Sequence, residues 1–343
     1  MTCPGELRIV ADGDIPFLRG VLEPYAEMVY LPGAAIPAED VRRADALIVR
    51  TRTRCDASLL EGSSVRCIAT ATIGTDHIDL PWCSAHGISV FSAAGCNSSA
   101  VMQYVFTALV SLGIDLSGKT LGVIGVGHVG SKVAAMGRKL GFRVLMCDPP
   151  RAANEGQWDF VSQDELLAEA DIVTLHVPLD DSTRNMADAV FFEKMKPGAV
   201  FINCARGEVM DEEALIKAAP RLGSLIIDTW PHEPDINRRL LSLTSIATPH
   251  IAGYSLQGKL NGTTAAVRAV AGYFGIDALK DFVPEEAAGN EPLILDLGGL
   301  DQEGIARKLL SIYPIRNDDS ALRAEPENFE LLRSEYRYRQ EFC

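Results

Sequence analysis

Thr120-Leu-Gly-Val-Ile-Gly-Val-Gly-His-Val-Gly130, followed by an apolar run that closes at Asp148, decides how this chain folds. Thr120 to Ile124 is short and apolar, as a strand buried on both faces is. Three glycines follow in G-x-G-x-x-G spacing. Gly125 permits a tight turn, Gly127 lets a pyrophosphate approach the backbone, and Gly130 lets the next helix lie close on the sheet. The N-terminus of that helix offers N–H groups to phosphate oxygens. Asp148 stands 18 residues after Gly130, at the end of the strand Arg143 to Cys147. A carboxylate there accepts hydrogen bonds from ribose hydroxyls and repels a 2′-phosphate, so the expected cofactor is NAD rather than NADP.

Strands and helices alternate on both sides of this motif, which predicts α/β architecture with doubly wound parallel sheets. Leu7 to Ala11, Ala46 to Arg50, Arg66 to Thr70 and Ile88 to Phe91 read as strands of a first domain. Asn97 to Leu112 reads as a helix capped by Asn97 or Ser98. Beyond the glycine motif, Ile172 to His176, Ala199 to Cys204 and Ser224 to Ile227 continue the second sheet, with helices at Asp164 to Ala170 and Asp211 to Ala219. A helical run from Ser255 to Tyr273 returns to the first domain. The expected organisation is residues 1–96 with 254–281 as a substrate-binding domain, 97–253 as an NAD-binding Rossmann domain, and 282–343 as a small α+β C-terminal domain.

The net charge of −14 over 343 residues argues against a nucleic-acid partner, which is gripped through a basic face. No apolar stretch approaches the roughly 18 to 20 residues that span a bilayer. The first residues lack a basic segment followed by an apolar one, so a cytoplasmic location is expected. The eight cysteines form no CxxC pair, and reduced, buried thiols with no metal site are expected.

Three later motifs each place polar residues just past a strand end, the edge where open α/β sheets bind ligands. Asn203-Cys-Ala-Arg-Gly-Glu208 offers Arg206, a planar fork of donors suited to a carboxylate. Ile227-Asp-Thr-Trp-Pro-His-Glu-Pro234 holds Asp228 and Glu233, and Thr248-Pro-His-Ile-Ala-Gly253 holds His250. Taken singly, a loop arginine, loop acids and a lone histidine are more often solvated or structural. Together they are an arginine for a carboxylate, a histidine to exchange a proton and a glutamate to orient it, the parts needed to oxidise a 2-hydroxy acid.

The order GxGxxG, Asp148, NCARG, Asp228, Glu233-Pro234 and TPHIAG resembles the D-isomer-specific 2-hydroxyacid dehydrogenases over roughly residues 45 to 275. That resemblance implies catalytic roles for Arg206 (carboxylate and carbonyl), His250 (general acid/base) and Glu233 (its partner), with Asp228 holding the nicotinamide carboxamide. It extends the cofactor set of Gly125, Gly127, Gly130 and Asp148 to His128, Val129, Thr174, Ala205 and Gly253. Further matches at Ala69 to Asp79, Ser92 to Asn97, Cys147 to Pro150 and His250 to Lys259 are similar to a branch that takes a phosphorylated sugar acid and dimerises through an added C-terminal domain. A homodimer is therefore expected. In that branch Thr51 and Thr72 match substrate-binding positions, and Tyr254 falls beside the site. Asn185 stands where the family often has histidine.

Val49-Arg-Thr-Arg-Thr-Arg54 supports a phosphorylated substrate independently, since it gathers three arginines at a strand end in an acidic chain. If the strand continues, alternation puts Arg50 on one side with Arg52 and Arg54, and Thr51 on the other with Thr53. A dehydrogenase for another D-2-hydroxy acid, and a non-catalytic NAD(H)-sensing binding protein, are the competing readings.

Overall fold

The structure, a computed structural model, describes residues 7–156 and 159–342. Cys3 and Cys343 lie outside the described residues. The chain divides into two compact units, Met1–Asn97 with Ser255–Pro292 and Ser98–Tyr254 with Leu293–Cys343.

The first unit holds five parallel strands, β1 (Arg8–Asp12), β2 (Glu27–Leu31), β3 (Ala46–Val49), β4 (Cys67–Thr70) and β5 (Ser89–Ser92), in the order β2-β1-β3-β4-β5. This is the flavodoxin-like order. Strand β2 escaped the sequence reading because it is an edge strand in which no residue is fully buried, so it lacks the continuous apolar run of its neighbours. The helix Leu256–Phe274 starts on a Ser255 cap that accepts the Gly258 N–H and ends at Gly275 in left-handed conformation. Its Ala266, Val267, Val270 and Ala271 pack with Ile9, Ile48 and Ala69 of the sheet, each fully buried valine or isoleucine contributing about 1.5–3 kcal/mol. That apolar face ties the segment to the first unit.

The second unit holds β6 (Thr120–Ile124), β7 (Arg143–Cys147), β8 (Ile172–Leu175), β9 (Val200–Asn203), β10 (Ser224–Ile227) and β11 (Ile246–Ala247). All pair in parallel, in the order β11-β10-β9-β8-β6-β7. The order reverses between β6 and β8, the position where such sheets bind ligands. Among the described residues β7 alone lies beyond β6; after it the chain enters the short helix Pro149–Glu155, and Val161 N–H donates to Met146 O at 2.9 Å along that edge. One apolar core covers each face of the sheet, and the helix Ser98–Ser111 is buried nearly all round within one of them.

The segment expected to form a separate α+β domain from residue 282 is divided instead. Phe282 packs on the first unit's core, while residues from Leu293 belong to the second unit. From there the chain is mainly helical, at Gln302–Ile312, Arg316–Ala324 and Phe329–Ser334, with an isolated bridge pairing Leu293 with Phe342. Leu295, Leu309, Tyr313, Ile315 and Phe342 enter the core around Ser98–Ser111, and Leu322 and Phe329 enter the core on the opposite sheet face. So short a segment buries too little surface to hold a core of its own, and it spends its apolar residues on a larger one.

Candidate active site

The glycine turn follows β6 at the reversal point. Gly125 has φ +83°, and a Cβ there would lie 2.7 Å from the His176 backbone; a Cβ on Gly130 would lie 2.0 Å from Gly125 O. Those two positions exclude any side chain. Gly127 differs, because a Cβ there would meet nothing within 4 Å. Its bareness serves no internal packing and leaves a cradle in front of the helix His128–Lys139, whose N-terminus has no side-chain cap. Gly127 and His128 are exposed and Val129 is half-buried. This turn fits a pyrophosphate by the same physics that predicted it from sequence.

Asp148 directly follows β7 and caps the helix Pro149–Glu155. Its carboxylate accepts the Val126 N–H of the glycine turn at 2.7 Å and the Arg151 N–H at 3.0 Å, so it fastens the turn to the neighbouring strand end. Thr174 is buried on β8, and its hydroxyl meets His176 Nε2 at 3.0 Å. Loss of solvent pushes the His176 ring down to about 3, so it is neutral at physiological pH.

Arg206, Glu233 and His250 follow β9, β10 and β11, three adjacent strands, past the same ends of the sheet. Asn203 at the end of β9 sets the first loop: its amide donates to Arg206 O at 2.8 Å and its Oδ1 accepts the Ala205 N–H at 3.0 Å. The guanidinium itself turns back on Ala205 O at 2.8 Å.

Glu233 and His250 are joined, Oε2 to Nδ1, at 2.8 Å, with side chains 18% and 24% exposed. The pair is thus mostly shielded yet open to a ligand. The other Glu233 oxygen accepts the Trp230 N–H at 2.9 Å. Burial pushes the Glu233 carboxyl up, but the His250 charge, the His250 hydrogen bond and the Trp230 N–H outweigh it and hold the group below its ordinary range. With Nδ1 committed to Glu233, Nε2 is the nitrogen left for a substrate proton.

His250 stands at φ +56°, and His232 in the preceding motif at +62°. Left-handed backbone at a non-glycine residue costs about 1–3 kcal/mol and persists where its surroundings over-determine it. Asp228 is a large part of those surroundings. Its carboxylate accepts Ile251 N–H at 2.8 Å, Ala252 N–H at 3.0 Å and the Thr248 hydroxyl at 2.7 Å, while Asp228 O accepts the His250 N–H at 2.8 Å. Burial raises its carboxyl above the ordinary range against the opposing effect of these partners. The acid expected to hold the carboxamide is, in the structure, the staple of the histidine turn. Gly253 and Tyr254 end that turn, both half-buried.

Sequence reasoning missed the supports of this turn. Tyr104 OH meets Thr248 Oγ1 at 2.7 Å, and the buried Trp230 donates its indole N–H to Thr248 O at 2.9 Å. Tyr104 lies 144 positions before Thr248, while Trp230 stands inside a motif read for its acids, and only the burial of an aromatic residue with a polar atom hinted at either.

In the first unit, the strand read as Ala46 to Arg50 stops at Val49 without continuing toward Arg54, and Thr53 N–H closes a turn on Arg50 O at 3.1 Å. The expected alternation therefore does not apply. Thr51 is exposed, whereas Thr53 is buried and donates to Gly33 O. Arg50 grips both oxygens of the buried Asp12, at 2.7 and 3.1 Å, and reaches Asp14 at 3.0 Å. Thr72 meets the Thr70 hydroxyl at 2.7 Å.

Residues 98–252 match the model of the D-isomer-specific 2-hydroxyacid dehydrogenase NAD-binding domain. Over 98% of its length the chain is 43% identical to the erythronate-4-phosphate dehydrogenase of Bacteroides fragilis, covering 97% of that protein. Among solved structures it is similar to the D-lactate dehydrogenase of Aquifex aeolicus complexed with NAD and lactic acid, at 26% identity and a TM-score of 0.66 over 79% of this chain and 96% of that one. The NAD-bound 3-phosphoglycerate dehydrogenase of Entamoeba histolytica is similar at 25% identity and a TM-score of 0.69, over 80% and 98%. A glycine turn shaped for a pyrophosphate, an acid at the next strand end and a glutamate-paired histidine thus coincide with a near full-length match, and the chain belongs to the erythronate-4-phosphate dehydrogenases of the D-isomer-specific 2-hydroxyacid dehydrogenase family.

Proposed function

We propose that the chain oxidises the C2 hydroxyl of 4-phospho-D-erythronate to give 2-oxo-3-hydroxy-4-phosphobutanoate, in pyridoxal 5′-phosphate (vitamin B6) biosynthesis. NAD, when bound, accepts the hydride from C2. The observation that carries the reading is the 2.8 Å Glu233–His250 pair on a stapled left-handed turn, past the same sheet ends as Arg206. In this assignment Arg206 holds the substrate carboxylate and draws electron density from the developing carbonyl. His250 Nε2 takes the hydroxyl proton, and the Glu233 carboxylate stabilises the resulting imidazolium. Gly125, Gly127, His128, Val129, Gly130, Asp148, Thr174, Ala205, Asp228 and Gly253 are assigned to the cofactor. Arg50, Thr51, Thr72 and Tyr254 are assigned to the phosphorylated substrate.

A cytoplasmic homodimer is part of the proposal. Among the described residues no helix is long and apolar enough to cross a membrane. Leu293, Ile294, Leu300, Leu331 and Tyr338 of the C-terminal segment are exposed, Ile294 by 85%, and such a concentration of apolar surface suits a subunit interface. Light scattering is expected to give twice the chain mass.

The substrate is tested by NADH formation with 4-phospho-D-erythronate, D-3-phosphoglycerate and D-lactate, with the oxo acid trapped. Turnover of the first alone supports the assignment. The commitment of Arg50 to Asp12 and Asp14 favours a second reading, a dehydrogenase for another D-2-hydroxy acid, and preference for either of the other two acids would establish it.

A further inference from the structure

The histidine turn has a second clamp, contributed by the end of the chain. Arg339 is 7% exposed, and its guanidinium spreads over five oxygens of its own unit besides Gln103 Oε1. Nη1 donates to Ile251 O and Tyr254 O, each at 3.0 Å, and to Tyr336 Oη at 3.3 Å. Nη2 donates to Ala100 O at 3.1 Å and to Ala252 O. The cation lies 4.3 Å from the Tyr313 ring centroid. Tyr313 and Tyr336 hydroxyls donate to Asp318 Oδ2 at 2.8 and 3.2 Å, which balances the buried charge at one remove.

The division of labour is exact in kind. Asp228 takes the N–H groups of Ile251 and Ala252, and Arg339 takes the carbonyls of Ile251, Ala252 and Tyr254. An irregular buried turn leaves both sets of backbone groups in need of partners, and here a carboxylate fills one need and a guanidinium the other. The same terminal segment surrounds Tyr254, with Tyr336 and Tyr338 rings 6.1 and 6.4 Å from its ring and the Arg333 guanidinium 5.8 Å away. Burying a cation is costly, and an apolar plug would fill the space at less cost. A plug would not fix three carbonyls.

We infer that Arg339 is a positioning residue for the reaction: through the carbonyls of residues 251, 252 and 254 it fixes the backbone on which His250 meets substrate. The inference rests on the proposed role of His250 and is indifferent to which D-2-hydroxy acid is oxidised.

The test uses the full-length chain with Arg339→Lys, Arg339→Ala and the milder Gln103→Met, which leaves the buried cation in place. Each is assayed on whichever acid of the substrate panel the wild type oxidises, so failure of the 4-phospho-D-erythronate assignment is read from the wild type alone. Arg339→Lys is expected to lower kcat by roughly 30- to 100-fold, the usual consequence of misplacing a reacting group by an ångström, with NADH Kd changed by less than about threefold because the glycine turn has its own supports. Guanidinium ion should restore part of the kcat of Arg339→Ala and none to the wild type. If the Arg339 variants do not fold, Gln103→Met should still lower kcat by roughly threefold or more with NADH affinity kept. Amide exchange at Ile251 to Tyr254 should accelerate by at least about tenfold in a folded variant, a readout that needs no turnover. Unchanged kcat and exchange, or a parallel loss of kcat and NADH affinity, would overturn the inference.

Discussion

The glycine turn after β6 and the histidine turn after β11 reverse the chain past the same edge of one sheet, and they are held by opposite means. The first is held by what its residues lack. Gly125 and Gly130 admit no Cβ, and Gly127 keeps open the ground in front of a helix N-terminus. The second is held by what other residues bring, since Asp228, Trp230 and Arg339 supply donors and acceptors to a backbone with φ +56° at His250, and the Thr248 hydroxyl donates to the Asp228 carboxylate. A binding cradle needs bare backbone, whereas a proton-transfer group needs one orientation enforced from several sides.

The comparison breaks most visibly at His250. His250→Ala is expected to lower kcat by on the order of a thousandfold, with NADH Kd changed by less than about threefold; a coupled loss of both would mean the two turns are not separate devices. Gly130→Ala forces a carbon toward Gly125 O and is expected to cost about 3 kcal/mol, read as a melting temperature lower by roughly 6–12 °C. Gly127→Ala should leave the melting temperature unchanged, because its Cβ meets nothing, and weaken NADH binding by about tenfold, because a pyrophosphate no longer approaches. An unaltered Kd would remove the cradle from the account.

Acid sharpens the histidine turn. Glu233 lies below its ordinary range in the folded chain, so the native state binds fewer protons there than the unfolded state. Its stabilisation is therefore complete above the ordinary carboxyl value of about 4.3 and is lost as pH falls through the lower folded value. Denaturant unfolding of wild type and Glu233→Gln should differ by about 1–3 kcal/mol above pH 5, and the difference should shrink as pH falls below the ordinary carboxyl range. The smallest effect is an expected null one. Burial pushes Cys55 and Cys67 up to about 12 and Cys147 up to about 11, so few thiolates exist at pH 8. Iodoacetamide labelling of the native chain, mapped by mass spectrometry, should spare all three until denaturant is added.

What the sequence made legible tracks this contrast. The glycine turn states its requirements within eleven residues, so strand, turn, helix and Asp148 were readable together. The placement of Arg206, Glu233 and His250 past strand ends was readable because each follows a short apolar strand. Their supports were not. Arg339 lies 89 positions beyond His250, and nothing local distinguishes it from a surface arginine. The edge strand Glu27–Leu31 lacked a buried run, and the terminal helices disguised their membership of the second unit because they share its cores instead of forming one. Arg50 showed the reverse error. Alternation past Val49 depends on the strand continuing, but a turn follows there, and Arg50 forms an ion pair with Asp12 that local sequence does not announce.

Deuterium at C2 tests the central claim most directly. With 4-phospho-D-[2-²H]erythronate, NAD and a trap for the oxo acid, each turnover is expected to place one deuterium at nicotinamide C4 in the NADH formed, as mass spectrometry would show. His250→Ala should suppress that transfer. Unlabelled NADH from the wild type, or no NADH while 3-phosphoglycerate or lactate is oxidised, would contradict the account.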